Sequence, residues 1–211
     1  DFQVTVTMYE SPEIEFVPGD VDGHVFGGLD DLVHTVQHYG YYGGVRLVKA
    51  VTKVFVEFCR EQGISLPPRN FTMRYQSTVP RLVGLGGSSA ICTAMFKALV
   101  RFYEVADRIP KAIVPTLCWR AEKDELLIHC GMQDRVIQVY DGVVFMDFAR
   151  DHFESQGYGR YLPIDARRLP RLYLAYDPDR AEFSGIYHRK LADAAVADQQ
   201  RVAAAMSEFA D

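Results

Sequence analysis

The sequence lacks several features that would assign it to a broad class of protein. It has no run of about 18 consecutive apolar residues, so it contains no segment that could cross a membrane as a helix. It opens at Asp1 without a methionine or a basic leader, and we expect neither a signal peptide nor the natural start at residue 1. Basic residues are not in excess, because 23 Lys and Arg face 28 Asp and Glu. Since the phosphate backbone of a nucleic acid requires a basic protein face, we expect no nucleic acid among its partners. The lack of a membrane-spanning segment predicts that a membrane is not a partner either.

Cysteines are few among the 211 residues, and none is spaced for metal or redox chemistry. Cys59, Cys92, Cys118 and Cys130 are far apart, without the C-x-x-C spacing of zinc sites and redox motifs. They fall within apolar helical runs. We therefore expect buried free thiols in a reducing, cytoplasmic setting rather than disulfides.

Two common phosphate-binding motifs are also missing around the most glycine-rich stretch. Residues 84–90 read G-L-G-G-S-S-A, so the Gly-Lys-Ser/Thr of a Walker A loop is absent and Ser89 replaces the last glycine of G-x-G-x-x-G. What is present is a glycine-rich turn opening onto an amphipathic helix that runs to Tyr103, with Ser88 or Ser89 as its predicted N-cap. The start of a helix attracts anions, most often phosphate. The alternative is a tight strand-to-helix connection that binds nothing.

The predicted elements place this turn between a strand and a helix. Hydrophobic periodicity predicts strands at 4–9, 14–17, 71–78, 143–148 and 171–176, and helices at 29–38, 45–62, 88–103, 111–125, 131–140 and 188–209. The first two strands are predicted to form a hairpin, and residues 149–170 to be irregular. The last helix stops with the chain in mid-pattern, so we expect the C-terminus to be truncated.

Two acidic residues beyond the turn suggest phosphoryl-transfer chemistry. Mg²⁺ takes oxygen ligands, and the Ser89 hydroxyl with the Glu122 carboxylate would supply them. Asp134 could then accept the proton of a substrate hydroxyl as general base. The alternatives are an exposed Glu122 paired with Lys123 or Arg120, and an Asp134 that only stabilises the start of a helix.

The motif P-x-x-x-G-L-G-G-S-S-A at residues 80–90 resembles the phosphate loop of the GHMP kinases. Ala121-Glu122 and Gly131-Met132-Gln133-Asp134 resemble the positions that supply the magnesium carboxylate and the catalytic aspartate of that family. Further blocks resemble its glucuronokinase branch, at residues 41–47, 69–72, 79–91, 121–123 and 133–142.

The resemblance implies an α+β fold, a mixed sheet backed by helices as in the GHMP-kinase N-terminal domain (ribosomal protein S5 domain 2-like). This domain would cover residues 1–170, and residues 171–211 would begin a second, truncated α+β domain. The family's first motif and its C-terminal glycine-rich segment have no counterpart in residues 1–211. We therefore expect either a fragment of a kinase or a shortened protein.

The activity implied by the resemblance is that of an ATP- and Mg²⁺-dependent sugar-1-kinase acting on a small sugar or uronic acid. The expected acceptor is D-glucuronate. The product would be glucuronate 1-phosphate, which is used for UDP-glucuronate synthesis. Another acceptor (galactose, galacturonate or a heptose derivative) and a non-catalytic binding module stay open. The sequence predicts neither the oligomeric state nor the adenine contacts.

The resemblance also assigns residues. Phosphates would be bound by Gly84, Leu85, Gly86, Gly87, Ser88, Ser89 and Ala90; magnesium by Ser89 and Glu122; and the base would be Asp134. Arg135 and Tyr42 are predicted to contact the substrate, with Arg46 and Arg81 as further partners for a substrate carboxylate. A structural role is the alternative for each of these arginines.

Overall fold

A computed structural model describes residues 2–18, 43–80, 83–177, 190, 193, 196 and 198–210 of the chain. The helix predicted at 29–38 lies outside these residues, as do Tyr42 and Arg81. The described strands are β1 (Val4–Ser11), β2 (Glu15–Val17), β3 (Asn70–Ser77), β4 (Val143–Asp147) and β5 (Arg160–Ile164). The described α-helices are α1 (Gly44–Glu61), α2 (Gly87–Phe102), α3 (Val114–Arg120), α4 (Gln133–Tyr140), α5 (Arg150–Gln156) and α6 (Gln199–Ala210).

The first three strands form a mixed sheet with β3 in the centre. β1 pairs with it antiparallel, Val4 opposite Ser77, and β2 pairs with its other edge in parallel, Glu15 opposite Thr72. The predicted mixed sheet is confirmed, but the predicted hairpin is wrong. β3 is the most buried of the three strands and has its backbone groups paired on both edges, which keeps β1 and β2 apart.

Helices α1 and α2 cover the sheet and supply most of the core. Their apolar stripes meet at Phe55 and Phe96, whose ring centroids lie 5.6 Å apart in an edge-to-face arrangement. Phe71 and Met73 of β3 are fully buried in the same cluster. The strand that precedes the glycine turn and the helix that follows it are therefore both anchored in one core.

The second half of the chain differs more from the prediction. Residues 149–170 are not irregular, since they contain α5 and β5, and β5 pairs antiparallel with β4. Pro163 within β5 obscures the strand in the sequence, yet an edge strand tolerates proline. Residues 171–176 are not a strand: Leu172 and Leu174 are exposed, and no described strand pairs with them.

The helices predicted at 45–62, 88–103 and 131–140 are confirmed, and so is the sheet strand at 71–78. The region predicted as one helix at 111–125 contains three geometries in succession: a 3₁₀ turn (Lys111–Ile113), α3 and a π turn (Ala121–Glu125). α6 lies within the helix predicted at 188–209, and no helix in the described ranges is long and apolar enough to cross a membrane. The domain boundary at residue 170 stays a prediction.

Replacing Leu99 of α2 tests the placement of the core. Its side chain is 0 % exposed, so Leu99→Ala should lower the free energy of unfolding by about 2 to 5 kcal/mol in chemical denaturation. The same truncation at Leu127, which is 80 % exposed, should lower it by less than about 0.5 kcal/mol. Equal losses at the two positions would contradict the packing of α2 against the sheet.

Candidate functional site

The glycine-rich turn ends in a backbone conformation that favours glycine. Gly86 is the N-cap of α2 and has φ 66° and ψ 30°, in the left-handed region, and Gly84 has φ 76°. The predicted serine N-cap is therefore wrong, because Ser88 and Ser89 lie inside the first turn. The Ser89 hydroxyl donates a hydrogen bond to the Gly86 carbonyl over 2.7 Å and fixes the turn from within.

The start of α2 presents donors that the helix itself does not use. The first intrahelical bond runs from the Ala90 N–H to the Gly86 carbonyl, at 3.0 Å. The N–H groups of Gly87, Ser88 and Ser89 therefore have no acceptor within the helix. Ser88 is exposed, so this end of the helix is open to solvent. Such an arrangement can bind an anionic group, and the helix dipole favours it.

Asp134 meets the turn from the other side. It lies in the first turn of α4, and a Cβ built on Gly86 would stand 3.6 Å from its carboxyl carbon and 3.1 Å from the Ser89 hydroxyl oxygen. The Lys97 ammonium of α2 donates to the Gln138 carbonyl of α4 over 2.8 Å, which fastens the two helices together. The Asp134 side chain is still 58 % exposed. The turn and the predicted base are thus brought into contact.

Glu122 lies in the π turn that continues α3, and its side chain is completely buried. It is therefore not the exposed helix carboxylate that the sequence left open as an alternative. The Ile128 N–H donates to the Glu122 carbonyl over 2.9 Å, which closes the segment after the π turn. π turns inside helices are frequent at functional sites, because they re-aim a side chain that a regular helix would direct elsewhere.

Arg135 joins the two acids. Its Nε donates to Glu122 Oε2 over 2.9 Å, its Nη2 donates to the same oxygen, and its Nη1 donates to the Gly131 carbonyl over 2.8 Å. Nη1 is also 3.8 Å from Asp134 Oδ2. Burial acts to lower the pKa of the guanidinium, but the Glu122 carboxylate outweighs it and the pKa is raised, so the group stays charged. The substrate contact predicted for Arg135 stays a prediction. The residue is only 2 % exposed, and its guanidinium has partners within the protein.

One oxygen of this network has no partner. Glu122 Oε1 is buried and makes no hydrogen bond to any described group. Ser89 is also fully buried. A carboxylate oxygen and a hydroxyl are the ligands that Mg²⁺ accepts, and the ion usually completes its shell with water and substrate phosphates. The residues present therefore fit a magnesium ion, although the described part of the chain has no cluster of three or more His, Cys, Asp or Glu that would hold a metal alone.

Three thiols surround the ion pair, and all are free as predicted. Burial raises the pKa of Cys118 to about 12 and that of Cys130 to about 11, and it raises the pKa of Cys92 well above the usual value. These cysteines are protonated at neutral pH. They serve as packing around Glu122 and Arg135 rather than as nucleophiles.

Residues 46–142 match the family described as GHMP kinases N terminal domain. The chain is 42 % identical over 186 residues to Probable glucuronokinase 2 of Arabidopsis thaliana, covering 88 % of this chain and 50 % of that protein. It is 45 % identical over 163 residues to Glucuronokinase 1 of the same plant, covering 77 % and 44 %. The chain therefore spans about half the length of these relatives.

Among solved structures, the fold resembles the crystal structure of a D-glycero-D-manno-heptose 1-phosphate kinase from Bacteriodes thetaiotaomicron. The TM-score is 0.52 at 18 % identity, over 77 % of this chain and 47 % of that one. At this identity the likeness supports the fold alone.

Removing the arginine of the buried pair tests how much Glu122 depends on it. Arg135→Met leaves a buried carboxylate without its counter-charge and should lower the free energy of unfolding by about 3 to 5 kcal/mol at pH 7. The loss should be large because Glu122 is completely buried, so water cannot replace the missing counter-charge.

Urea denaturation of wild type and variant at pH 7 measures this loss. The matched control is Arg167→Met, which breaks the exposed ion pair with Asp165 and should cause no comparable loss. Equal losses in Arg135→Met and Arg167→Met would contradict the buried pair.

Proposed function

We propose that this protein is an ATP-dependent sugar-1-kinase with D-glucuronate as its acceptor, because residues 46–142 match the GHMP kinases N terminal domain. The observation that carries the proposal is the contact between the Asp134 carboxylate and the glycine turn at the start of α2. GHMP kinases use ATP, and the names of the two plant relatives favour glucuronate as acceptor. The product would be glucuronate 1-phosphate.

In this proposal the turn binds ATP through its phosphates. The N–H groups of Gly87, Ser88 and Ser89 would donate to phosphate oxygens, and the dipole of α2 would add to the attraction. The absence of side chains at Gly84, Gly86 and Gly87 lets the backbone approach the nucleotide closely. Phosphoryl transfer depends mainly on such positioning and charge stabilisation.

Asp134 is the proposed general base. It would accept the proton of the anomeric hydroxyl while the oxygen of that hydroxyl forms a bond to the γ-phosphorus. At the same time the bond between this phosphorus and the β,γ-bridging oxygen would break, which releases ADP. Its position against Gly86 supports this role, because the acceptor would have to meet the phosphates beside the turn. Its exposure leaves room for the acceptor on the other side.

Glu122 and Ser89 are the residues that would hold Mg²⁺, through the unpartnered Oε1 and the hydroxyl. When bound, this ion would neutralise the charge that develops on the transferred phosphoryl group. Arg135 acts as a positioning residue in this scheme, because it holds Glu122 through Oε2 and lies 3.8 Å from Asp134. A cytoplasmic location belongs to the same proposal, in keeping with four free cysteines.

The direct test is coupled ADP release with MgATP and a panel of free sugars and uronic acids, run on the natural full-length protein and in parallel on this 211-residue chain. Turnover with glucuronate would support the proposal. A preference for galactose, galacturonate or a heptose derivative would assign another acceptor, and the absence of turnover with every sugar would favour a non-catalytic binding module.

Replacing the proposed base tests its role. Asp134→Asn keeps the size and hydrogen-bonding capacity of the side chain but removes its basicity, so kcat should fall by about 100- to 10,000-fold. The KM for ATP should change little, because the turn is intact. Asp107→Asn, at an exposed aspartate beyond the C-terminal end of α2, is the control and should keep wild-type kcat. Comparable kcat values for the two variants would remove Asp134 from the mechanism.

Replacing Gly86 tests the turn. Its φ of 66° is strained for alanine, and the added Cβ would crowd the Ser89 hydroxyl, so Gly86→Ala should weaken binding of a non-hydrolysable ATP analogue at least about tenfold in titration calorimetry. Gly63→Ala is the matched control, since Gly63 has φ 63° with open space around it. It should keep full affinity, and an equal loss there would point to general destabilisation instead.

A further inference from the structure

We infer that Arg150, at the start of α5, recognises the carboxylate of the acceptor sugar in a cavity beside Asp134. This inference rests on the proposed function and deepens it, because it names the residue that distinguishes a uronic acid from a neutral sugar. A carboxylated sugar needs a cationic partner. The guanidinium of Arg135, the arginine next to the proposed base in sequence, is already bonded to groups within the protein.

Arg135 is the arginine in question. Three of its nitrogens donate to Glu122 and to the Gly131 carbonyl, and the residue is almost completely buried. A substrate carboxylate that reached it would have to displace the buried Glu122. Breaking such a pair leaves an uncompensated charge in the interior, which costs far more than one substrate contact returns.

A cavity of about 380 Å³ lies beside the first turn of α4. Its walls include the rings of Trp119, Phe148 and Phe153, and its polar lining is formed by Gln133, Arg150 and Glu154. Aromatic walls with a few polar groups are typical of small-ligand sites, where the apolar face of a ring stacks and the polar groups fix its orientation. Met132 and Gln133, the two residues that precede Asp134, line this cavity, so it lies at the same end of α4 as the proposed base.

The walls of the cavity are held in place. The Trp119 indole N–H donates to the Cys130 carbonyl over 3.0 Å, which orients the ring. The Ala149 N–H donates to Asp147 Oδ1 over 2.8 Å at the corner between β4 and α5, directly before Arg150. The cavity is therefore built from elements already fixed by the fold, as a preorganised binding site requires.

Arg150 is the only cation among the described residues that line this cavity. Its guanidinium makes no ion pair with a described residue, not even with Glu154 one turn further along α5. Lys123 is nearby, but its ammonium lies over the Trp119 ring, 4.0 Å from the centroid. A guanidinium pairs with a carboxylate through two parallel hydrogen bonds, which suits a uronate, while Gln133 and Glu154 suit the sugar hydroxyls.

A second cavity, of about 410 Å³, lies along the C-terminal half of α2, with Arg101 and Ile109 in its lining. Neither the residues of the glycine turn nor those around Asp134 contribute to it, so nothing in the described lining links this cavity to the proposed base.

The experiment compares D-glucuronate with D-glucuronamide, which differs only by replacing the carboxylate with a neutral amide. In the natural full-length protein, Arg150→Met should raise the KM for glucuronate about 10- to 100-fold with little change in kcat. The reason is that the variant loses a charge-assisted contact to the substrate carboxylate that is made equally in the ground state and in the transition state. The KM for glucuronamide should stay at its wild-type value. Arg150→Lys should recover part of the preference for glucuronate.

Arg101→Met is the matched control, since it removes an exposed arginine from the other cavity and should leave both KM values unchanged. Equal KM values for glucuronate in wild type and Arg150→Met would overturn the inference while the proposed function stands. A rise of the same factor with both sugars would also overturn it, because that is the effect of a structural residue. If wild type does not phosphorylate glucuronate at all, the proposed acceptor falls and this inference falls with it.

Discussion

The arrangement of the site depends on one buried ion pair, between Glu122 in the π turn and Arg135 in α4. Removing two charges from water costs more than their attraction returns unless further hydrogen bonds satisfy the remaining groups. Here the Gly131 carbonyl accepts a further hydrogen bond from the Arg135 guanidinium. This one side chain of α4 therefore bonds both to the π turn and to the segment before α4. The main effect of the pair is therefore to position the Glu122 carboxylate rather than to stabilise the fold. Without it, the described residues would offer no hydrogen-bond donor to the Glu122 carboxylate.

The position of the base follows from this pair and from the packing of α2 against α4. Neighbouring residues on a helix point about 100° apart, so a buried Arg135 requires that Asp134 faces away from the interior. The bond from Lys97 to the Gln138 carbonyl sets the distance between the two helices, and Gly86 then comes into contact with the carboxylate. The glycine turn and the proposed base are thus related through packed helices, which is the condition for preorganised chemistry.

Local patterns in the sequence were sufficient for the glycine turn, the helices around it and the central strand. They failed where pairing is long-range: the β1–β2 hairpin is replaced by two pairings with β3, and none of the described strands pairs with Leu172. The burial of Arg135 had a signal that was overlooked. Val139 lies one turn further along the same face of α4 and is buried, so the apolar period already placed Arg135 inward. Its partner could not be predicted, because Glu122 comes from a π turn that no period reveals.

The two acids of this site carry the same chemical group in opposite environments, and this difference suits them to the separate tasks proposed for them. Glu122 is fully buried, with one oxygen held by Arg135 and the other without a partner among the described residues, which suits a cation that stays in place. Asp134 is 58 % exposed beside an open helix start, which suits a group that exchanges a proton with a substrate that comes and goes. A carboxylate that had to do both would lose its orientation with each turnover. In the proposed mechanism, dividing the tasks between two acids would let the proton move while the charge-stabilising part of the site stays fixed.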